Sequence, residues 1–160
     1  MISICDSVRD DVQAFGRELI SRFFEEASGA DYLLKLSQHP STSVQLFASN
    51  FLQGYAAGHP ERLAALTPYF LTVLAQVNRS RTAKTRILRF LHQEALQDRA
   101  AALIAAPIFN RQSATAAITD KAACLEALRD IQQRYPDLEL ALTVKPVRQH
   151  ARSRSGQPGV

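Results

Sequence analysis

The sequence predicts an all-α fold made of helix pairs that repeat along the chain. Three observations support this prediction: a composition that favours helices, apolar residues at every fourth position, and landmarks that return at a constant interval. Tryptophan is absent and only 6 of the 160 residues are glycine. Alanine, leucine, glutamine, glutamate and arginine, which favour helices, are frequent. A chain of this length is long enough for one domain with a continuous core.

Four segments place apolar or small residues at positions i, i+4 and i+8. They begin at Val12, Val44, Ala83 and Ala123. Because an α-helix turns once in 3.6 residues, these positions form one stripe along a helix. The first two segments share the pattern V-Q-x-F, and the starts of the last three are separated by about 40 residues, a length typical of helix-pair repeats. The sequence therefore predicts a structural repeat.

A second landmark recurs at nearly the same interval. The pattern P-x-F occurs at Pro68 and again at Pro107. Each proline lies within an apolar helical pattern, and we expect it to kink its helix because proline removes a backbone hydrogen bond. We expect the aromatic residues of this landmark to pack in the core, namely Tyr69, Phe70 and Phe109.

Both patterns together place the helices in order along the chain. The predicted helices cover residues 7–27, 31–38, 42–57, 61–77, 81–97, 99–116 and 120–134. Four of them start at polar residues that we expect to cap the first turn, namely Asp10-Asp11, Ser41–Ser43, Ser80–Thr82 and Thr119-Asp120. His39-Pro40 ends a helix, since the residue before proline disfavours the α region. One pair of helices cannot bury its apolar faces alone, so we expect the pairs to stack.

The segment from His39 to Leu52, H-P-S-T-S-V-Q-x-x-A-x-x-x-L, resembles the HEAT-repeat consensus, in which a turn with Pro and Asp precedes V-R-x-x-A-x-x-x-L. Over about residues 6–135 the chain is similar to uncharacterised bacterial HEAT-repeat proteins. The resemblance implies a right-handed α-solenoid of about three to four helix-pair repeats. The chain departs from the consensus arginine after valine, where it has Gln13, Gln45, Lys84 and Cys124.

The net charge of +4 is concentrated at the end of the chain. Residues 145–160 contain four basic residues and no acid, which leaves 15 basic and 15 acidic residues in 1–144. We therefore predict one repeat domain over 1–144, followed by a short extended and partly disordered basic tail over 145–160. Charge within the domain is uneven, because 79–111 carries seven basic and two acidic residues.

The sequence contains no motif of a known catalytic or cofactor site. Phosphate-binding loops, dinucleotide-binding glycine patterns and the G-x-S-x-G elbow are absent. Cys5 and Cys124 are far apart, and no histidine has a ligand partner at i+3 or i+4. We therefore expect a protein that is not an enzyme, with no cofactor, no metal and no small-molecule substrate.

The apolar segments are too short for a membrane protein. No apolar run approaches the ~20 residues that span a bilayer. The segment Met1–Asp6 lacks a basic stretch followed by an apolar one, so no secretory signal is indicated. We expect no contact with a membrane and a cytoplasmic location.

The segment 79–89 is the candidate binding site. It holds five basic residues and no acid, namely Arg79, Arg81, Lys84, Arg86 and Arg89. In the HEAT resemblance it belongs to the second helix of its repeat, which lines the concave ligand-binding surface. Gln13, Gln45 and Asn50 are the equivalent surface positions of neighbouring repeats. The segment either binds phosphates or an acidic protein segment, or it is a solvated face partly paired with acids such as Glu94 or Glu126.

These observations predict a non-catalytic scaffold that binds another protein through the concave surface of the solenoid. One alternative is a nucleic-acid-binding protein that uses the basic helix 79–89, a class that includes glycosylase-like enzymes built on HEAT-like repeats. Another is a structural subunit or a fragment of a longer repeat array. An uncapped apolar face on the helix 7–27 would favour this last alternative.

Overall fold

A computed structural model describes residue 7 and the ranges 9–24, 28–39, 41–77 and 80–141. Within these residues the chain is all-helical and contains no strand, which confirms the all-α part of the predicted fold. Nine α-helices lie in the described ranges, with a 3-10 turn at Ser49–Phe51 between the third and the fourth. They are α1 Asp10–Arg22, α2 Gly29–Ser37, α3 Thr42–Ala48, α4 Leu52–Ala56, α5 Pro60–Ala65, α6 Thr67–Leu74, α7 Arg81–Gln97, α8 Arg99–Gln112 and α9 Ile118–Arg134. The predicted boundary at 144 and the tail 145–160 lie outside the described residues.

Two predicted helices are each divided into shorter ones. The predicted helix 61–77 breaks at Leu66, so that Pro68 lies in the first turn of α6 rather than at a kink. Proline is favoured at this position because the backbone N–H groups of the first turn have no partner within the helix, so the missing N–H breaks no hydrogen bond. The predicted helix 42–57 is interrupted by the 3-10 turn, where the Ser49 hydroxyl donates to the Leu46 carbonyl at 2.6 Å and so competes with the backbone. Pro107, in contrast, lies inside the continuous helix α8.

The expected side-chain caps are not found at the predicted helix starts. The N-cap residues of α1, α3, α7 and α9 make no side-chain cap hydrogen bond. The Ser41 hydroxyl instead lies 2.8 Å from the Ser43 hydroxyl, and the Ser80 hydroxyl bonds to glutamine side chains. Asp98, which was not predicted as a cap, accepts the Ala100 N–H at 3.0 Å and caps α8.

Contacts between the helices fall into two sets, which we call layers. In one layer α2 contacts α6, and both α5 and α6 contact α8. In the other layer α3 contacts α7, and α7 contacts α9. The layers are joined where consecutive helices meet, most closely between α7 and α8 and between α8 and α9. Helix α7 therefore contacts neighbours on several sides.

Hydrogen bonds between the helices share one sequence interval. Among the described residues, eight of them join groups that are 35 to 39 residues apart. One example is Arg99, which donates to Asp137 Oδ2 at 2.6 Å and holds the pKa of that carboxyl below its usual value. The interval agrees with the spacing of the repeated pattern in the sequence.

The aromatic landmark residues lie in the core. Tyr69, Phe70 and Phe109 are fully buried, which confirms the expectation that they pack inside. Burial also raises the pKa of Tyr69. Cys124 of α9 is a free, buried cysteine, as expected for a small residue without a disulfide or metal partner. Cys5 lies outside the described residues.

Burial of Cys124 predicts a loss of stability at alkaline pH. Burial, with a smaller contribution from Asp120, raises the pKa of the Cys124 thiol from 9.0 to about 12. Above pH 9 the unfolded chain releases this proton while the folded chain keeps it, so stability falls as pH rises from 9 towards 12. Urea unfolding of the protein and of Cys124→Ala at pH 8 and pH 10.5 measures the effect. We expect a smaller alkaline loss in the variant, and equal losses would contradict the buried neutral thiol.

Candidate functional site

Helix α7 presents an apolar face to the core and a basic face to solvent. Ile87 and Leu91 are fully buried on the predicted stripe. Arg81, Arg86 and Arg89 are exposed. The arginines lie on the side of α7 opposite to the stripe. Because the stripe faces the core, the arginine side chains point to solvent.

Lys84 and Gln45 are interior residues, and the expectation that they lie on an exposed binding surface is wrong. They are 8% and 4% exposed. The Lys84 ammonium donates to the Gln76 backbone carbonyl, and the Gln45 amide donates to the His39 carbonyl at 2.7 Å. Both residues directly follow the first stripe residue of their segments. That position points towards the neighbouring helix of the same layer, so stacking buries it.

Ser80 connects these buried polar groups and holds the start of α7. Its hydroxyl bonds to Gln45 Oε1 and lies 3.1 Å from Gln76 Oε1. Its backbone has a φ of 57°, in the left-handed region that serine rarely adopts. Such a conformation costs on the order of 1–3 kcal/mol and persists only where the surroundings impose it. The buried hydrogen bonds of Ser80 supply that constraint directly before Arg81.

Arg86 and Asn50 were both predicted as surface positions, and the structure brings them together. The Arg86 guanidinium donates to Asn50 Oδ1 at 2.5 Å and to the Ser49 hydroxyl at 3.2 Å. Ser49 and Asn50 belong to the 3-10 turn between α3 and α4. Arg86 therefore bridges two neighbouring helices of the same layer and is held in one orientation.

Two other predicted residues have different outcomes. Gln13 is half-buried on α1, and its amide donates to the Ser7 carbonyl at 2.7 Å. It lies with Arg17 at the edge of a groove between α1 and α3. Arg79 lies outside the described residues.

Three grooves run side by side across α1, α3, α4, α7 and α9. The first, of 370 Å³, separates α1 from α3 and is lined by Gln13 and Asn50. The second, of 180 Å³, lies against α7 at Arg86 and Arg89. The third, of 350 Å³, lies between α7 and α9 and shares Arg89 with the second. We call this surface the groove face, defined by Gln13, Asn50, Arg81, Arg86, Arg89, Asp120 and Glu126.

The groove face carries charges of both signs. Among the described residues, Arg81 and Arg89 form no ion pair. Across the third groove, α9 presents Asp120 and Glu126. The arginine wall and the carboxylate wall are thus separated by open space, and both remain accessible to a ligand.

The acids that were expected to neutralise the basic segment bond elsewhere. Glu94 is buried and accepts the Gly58 N–H at 2.7 Å. Glu126 lies 3.9 Å from Arg129 of its own helix, in an exposed pair. The basic face of α7 is therefore not a set of arginines paired with these two acids.

The sequence did not indicate Asp120 as a member of the site, and it indicated Glu126 only as an acid that could pair with the basic segment. Asp120 follows Arg81, and Glu126 follows Arg89, at close to the repeat interval. This interval, applied to each arginine, would have indicated these neighbours.

No group of three or more histidines, cysteines or carboxylates lies close enough to hold a metal ion in the described part of the chain. His92 Nε2 lies 3.2 Å from Asp130 Oδ2 at one end of the third groove. No helix within the described ranges is both long and apolar enough to cross a membrane.

No model of a known protein family matches the chain, and the chain matches no curated protein and no solved structure. Proposals about its function therefore depend on its own residues and their geometry.

Charge reversal on α7 distinguishes the buried lysine from the exposed arginines. We expect Lys84→Glu to lower the free energy of unfolding by about 3–5 kcal/mol, because it buries an anion beside a carbonyl oxygen. The matched control Arg89→Glu is expected to change it by less than about 0.5 kcal/mol, since Arg89 is exposed. Urea unfolding measures both values. Equal effects of the two substitutions would contradict the burial of Lys84.

Proposed function

We propose that the protein is a non-catalytic cytoplasmic scaffold, a right-handed HEAT-like α-solenoid that binds another protein through its groove face. The two helix layers and the common interval of the hydrogen bonds between them support the repeat architecture. In such arrays each added repeat extends the surface without requiring a deep pocket.

The observation that best supports binding is the continuity of the three grooves beside unpaired arginines. Asn50 lines the first groove and bonds to Arg86 of the second, and Arg89 lines the second and the third. A surface that crosses several helices suits an extended partner, which gains contacts at each of them. Arg81 and Arg89 supply charges to orient that partner.

The charge pattern favours a protein over a nucleic acid. Phosphates recur along a nucleic acid backbone, so a nucleic-acid site needs a positive surface along its length. Here α9 places Asp120 and Glu126 across the groove from the arginines, where they would repel phosphates. A polypeptide can offer acids to one wall and bases to the other. Nucleic acid is therefore the alternative that the experiment must exclude.

Selection from a display library of short random peptides tests protein binding. We expect the selected peptides to bind the full chain and to lose at least about tenfold in affinity with Arg81→Glu/Arg89→Glu, because charges steer and orient the partner. The matched control is Lys35→Glu/Arg111→Glu, which makes the same change of charge at exposed residues of the other layer. This control is expected to bind normally.

The same variants titrated with duplex and single-stranded DNA and RNA at two salt concentrations test the alternative. Salt-sensitive binding that is lost with the α7 reversal, together with a failed peptide selection, would replace the protein-binding proposal with the nucleic-acid one.

A second candidate role, association of copies end to end, is favoured by the outer face of α1. Phe15 and Phe23 are 55% and 52% exposed on or directly after this helix. An end helix of a repeat array normally needs a polar outer face to remain monomeric. We propose that this face stacks against another copy of the chain.

Light scattering of the protein and of Phe15→Ser/Phe23→Ser over a range of concentrations tests this role. We expect the native protein to increase in mass with concentration and the variant to stay monomeric, because exposed apolar patches favour association. Leu103→Ser, at a residue 53% exposed on α8, is the control and should behave as the native chain. A monomeric native protein at every concentration would exclude the role.

A further inference from the structure

The third groove has two walls of opposite charge above an apolar floor. Arg81 and Arg89 stand on the α7 wall, and Asp120 and Glu126 stand on the α9 wall. Leu88, which is buried at 5% exposure, contributes to the floor. A ligand of this groove therefore meets positive charge on one side and negative charge on the other.

Helices α7 and α9 run in the same direction, which fixes the order of the charges. His92 lies 3.2 Å from Asp130. Further along the chain, the Tyr135 hydroxyl donates to the carbonyl of Leu96 at 3.4 Å. Both contacts advance in the same order along the two segments, as parallel packing requires, and both join residues separated by close to the repeat interval. Arg81 therefore stands near the level of Asp120, and Arg89 near the level of Glu126.

The four charged residues of the walls do not pair with each other across the groove. Among the described residues no ion pair joins Arg81 or Arg89 to Asp120 or Glu126, although His92 Nε2 of α7 lies 3.2 Å from Asp130 Oδ2 of α9 at one end of the groove. The groove of 350 Å³ keeps the arginines apart from the carboxylates. An isolated polypeptide segment of complementary charge can occupy this space and pair with both walls.

We infer that the third groove binds an extended polypeptide segment with acidic side chains at i and i+4 and basic side chains at i+1 and i+3. The inference rests on the proposed protein-binding function. In an extended chain successive side chains point to opposite sides, so alternate residues face opposite walls. The acidic residues then face Arg81 and Arg89, and the basic residues face Asp120 and Glu126.

The spacings of the two walls match this pattern. Arg81 and Arg89 are two turns and a fraction apart on a helix, a rise of about 12 Å. Positions i and i+4 of an extended strand are about 13 Å apart. Asp120 and Glu126 are about 9 Å apart along α9, against about 7 Å for i+1 and i+3, a difference that the length of lysine side chains covers. Position i+2 faces Thr85 and Leu88, where a small side chain fits.

The predicted pattern reads the same in both chain directions. Acid, base, small residue, base, acid is a palindrome, so a segment pairs with both walls whichever way it runs. Specificity in this groove therefore comes from the order of charges rather than from chain polarity.

Two peptides of identical length and composition test the inference on the unaltered protein. Both carry the same Gly-Ser flanks. One has the centre Glu-Lys-Ala-Lys-Glu, and the other has the same five residues in the order Lys-Glu-Ala-Glu-Lys. We expect the first to bind at least about tenfold more tightly. In the same orientation the second peptide makes four repulsive pairs, and when it is turned over its two acids are only about 7 Å apart, whereas Arg81 and Arg89 are about 12 Å apart along α7. Amide chemical shifts in a titration of the labelled full chain locate the site, and we expect the changes at Thr85 and Ala123.

An exchange of the two walls provides the second measurement. The variant Arg81→Glu/Arg89→Glu/Asp120→Lys/Glu126→Lys keeps the net charge and is expected to prefer the second peptide. A reversal of preference would show that the charges of the two walls select the order of charges in the peptide. Loss of folding would instead abolish binding of both peptides.

Equal binding of the two peptides by the native protein overturns the inference, as does an unchanged preference after the wall exchange. If neither peptide binds while peptides selected from the display library still depend on Arg81 and Arg89, the inference is wrong and the scaffold function stands. If the selected peptides do not depend on these arginines either, both are wrong.

Discussion

Stacking of α7 between α3 and α9 is the constraint on which the rest of the structure depends. Ile87 and Leu91 are fully buried, and a helix with such a stripe is stable only when neighbours cover it. Once the stripe faces the core, the direction in which every other side chain of α7 points around the helix axis is fixed. Arg81 and Arg89 must then face outward, into the grooves that separate α7 from its neighbours.

Polar contacts refine this packing at the start of α7. Lys84, Gln45 and Ser80 are buried and bond to one another or to Gln76 and His39, of which Gln76 is half-buried. Burial of polar groups is costly unless they are satisfied, so such a cluster disfavours other registers of the two helices. The cluster also holds Ser80 in a left-handed conformation. The position of the first exposed arginine is therefore fixed from inside the molecule.

The groove face combines a rigid base with charges that lack partners. Arg86 is held by Asn50 and Ser49, whereas Arg81 and Arg89 are not paired within the described residues. Charges placed on a rigid surface select a partner more by orientation and by exclusion of wrong charges than by strength. Asp120 and Glu126 on the opposite wall add this exclusion, because a uniformly acidic ligand is repelled there.

Sequence by itself determined the helices, the repeat interval and most of the core. The spacing i, i+4, i+8 follows from the geometry of a helix, and an apolar stripe with this spacing must be buried against another element. Tyr69 and Phe109 are buried for the same reason. The pattern around Pro68 and Pro107 is likewise visible in the sequence.

Tertiary structure alone decided which polar residues are interior and which line the grooves. The periodicity of the sequence gives the directions in which Lys84 and Arg89 point around their helix. The position of the neighbouring helix decides which of the two side chains is buried. Asp120 and Glu126 become partners of one groove with Arg81 and Arg89 only because α9 stacks beside α7. Residues a full repeat apart in the sequence share a site only when the chain has folded.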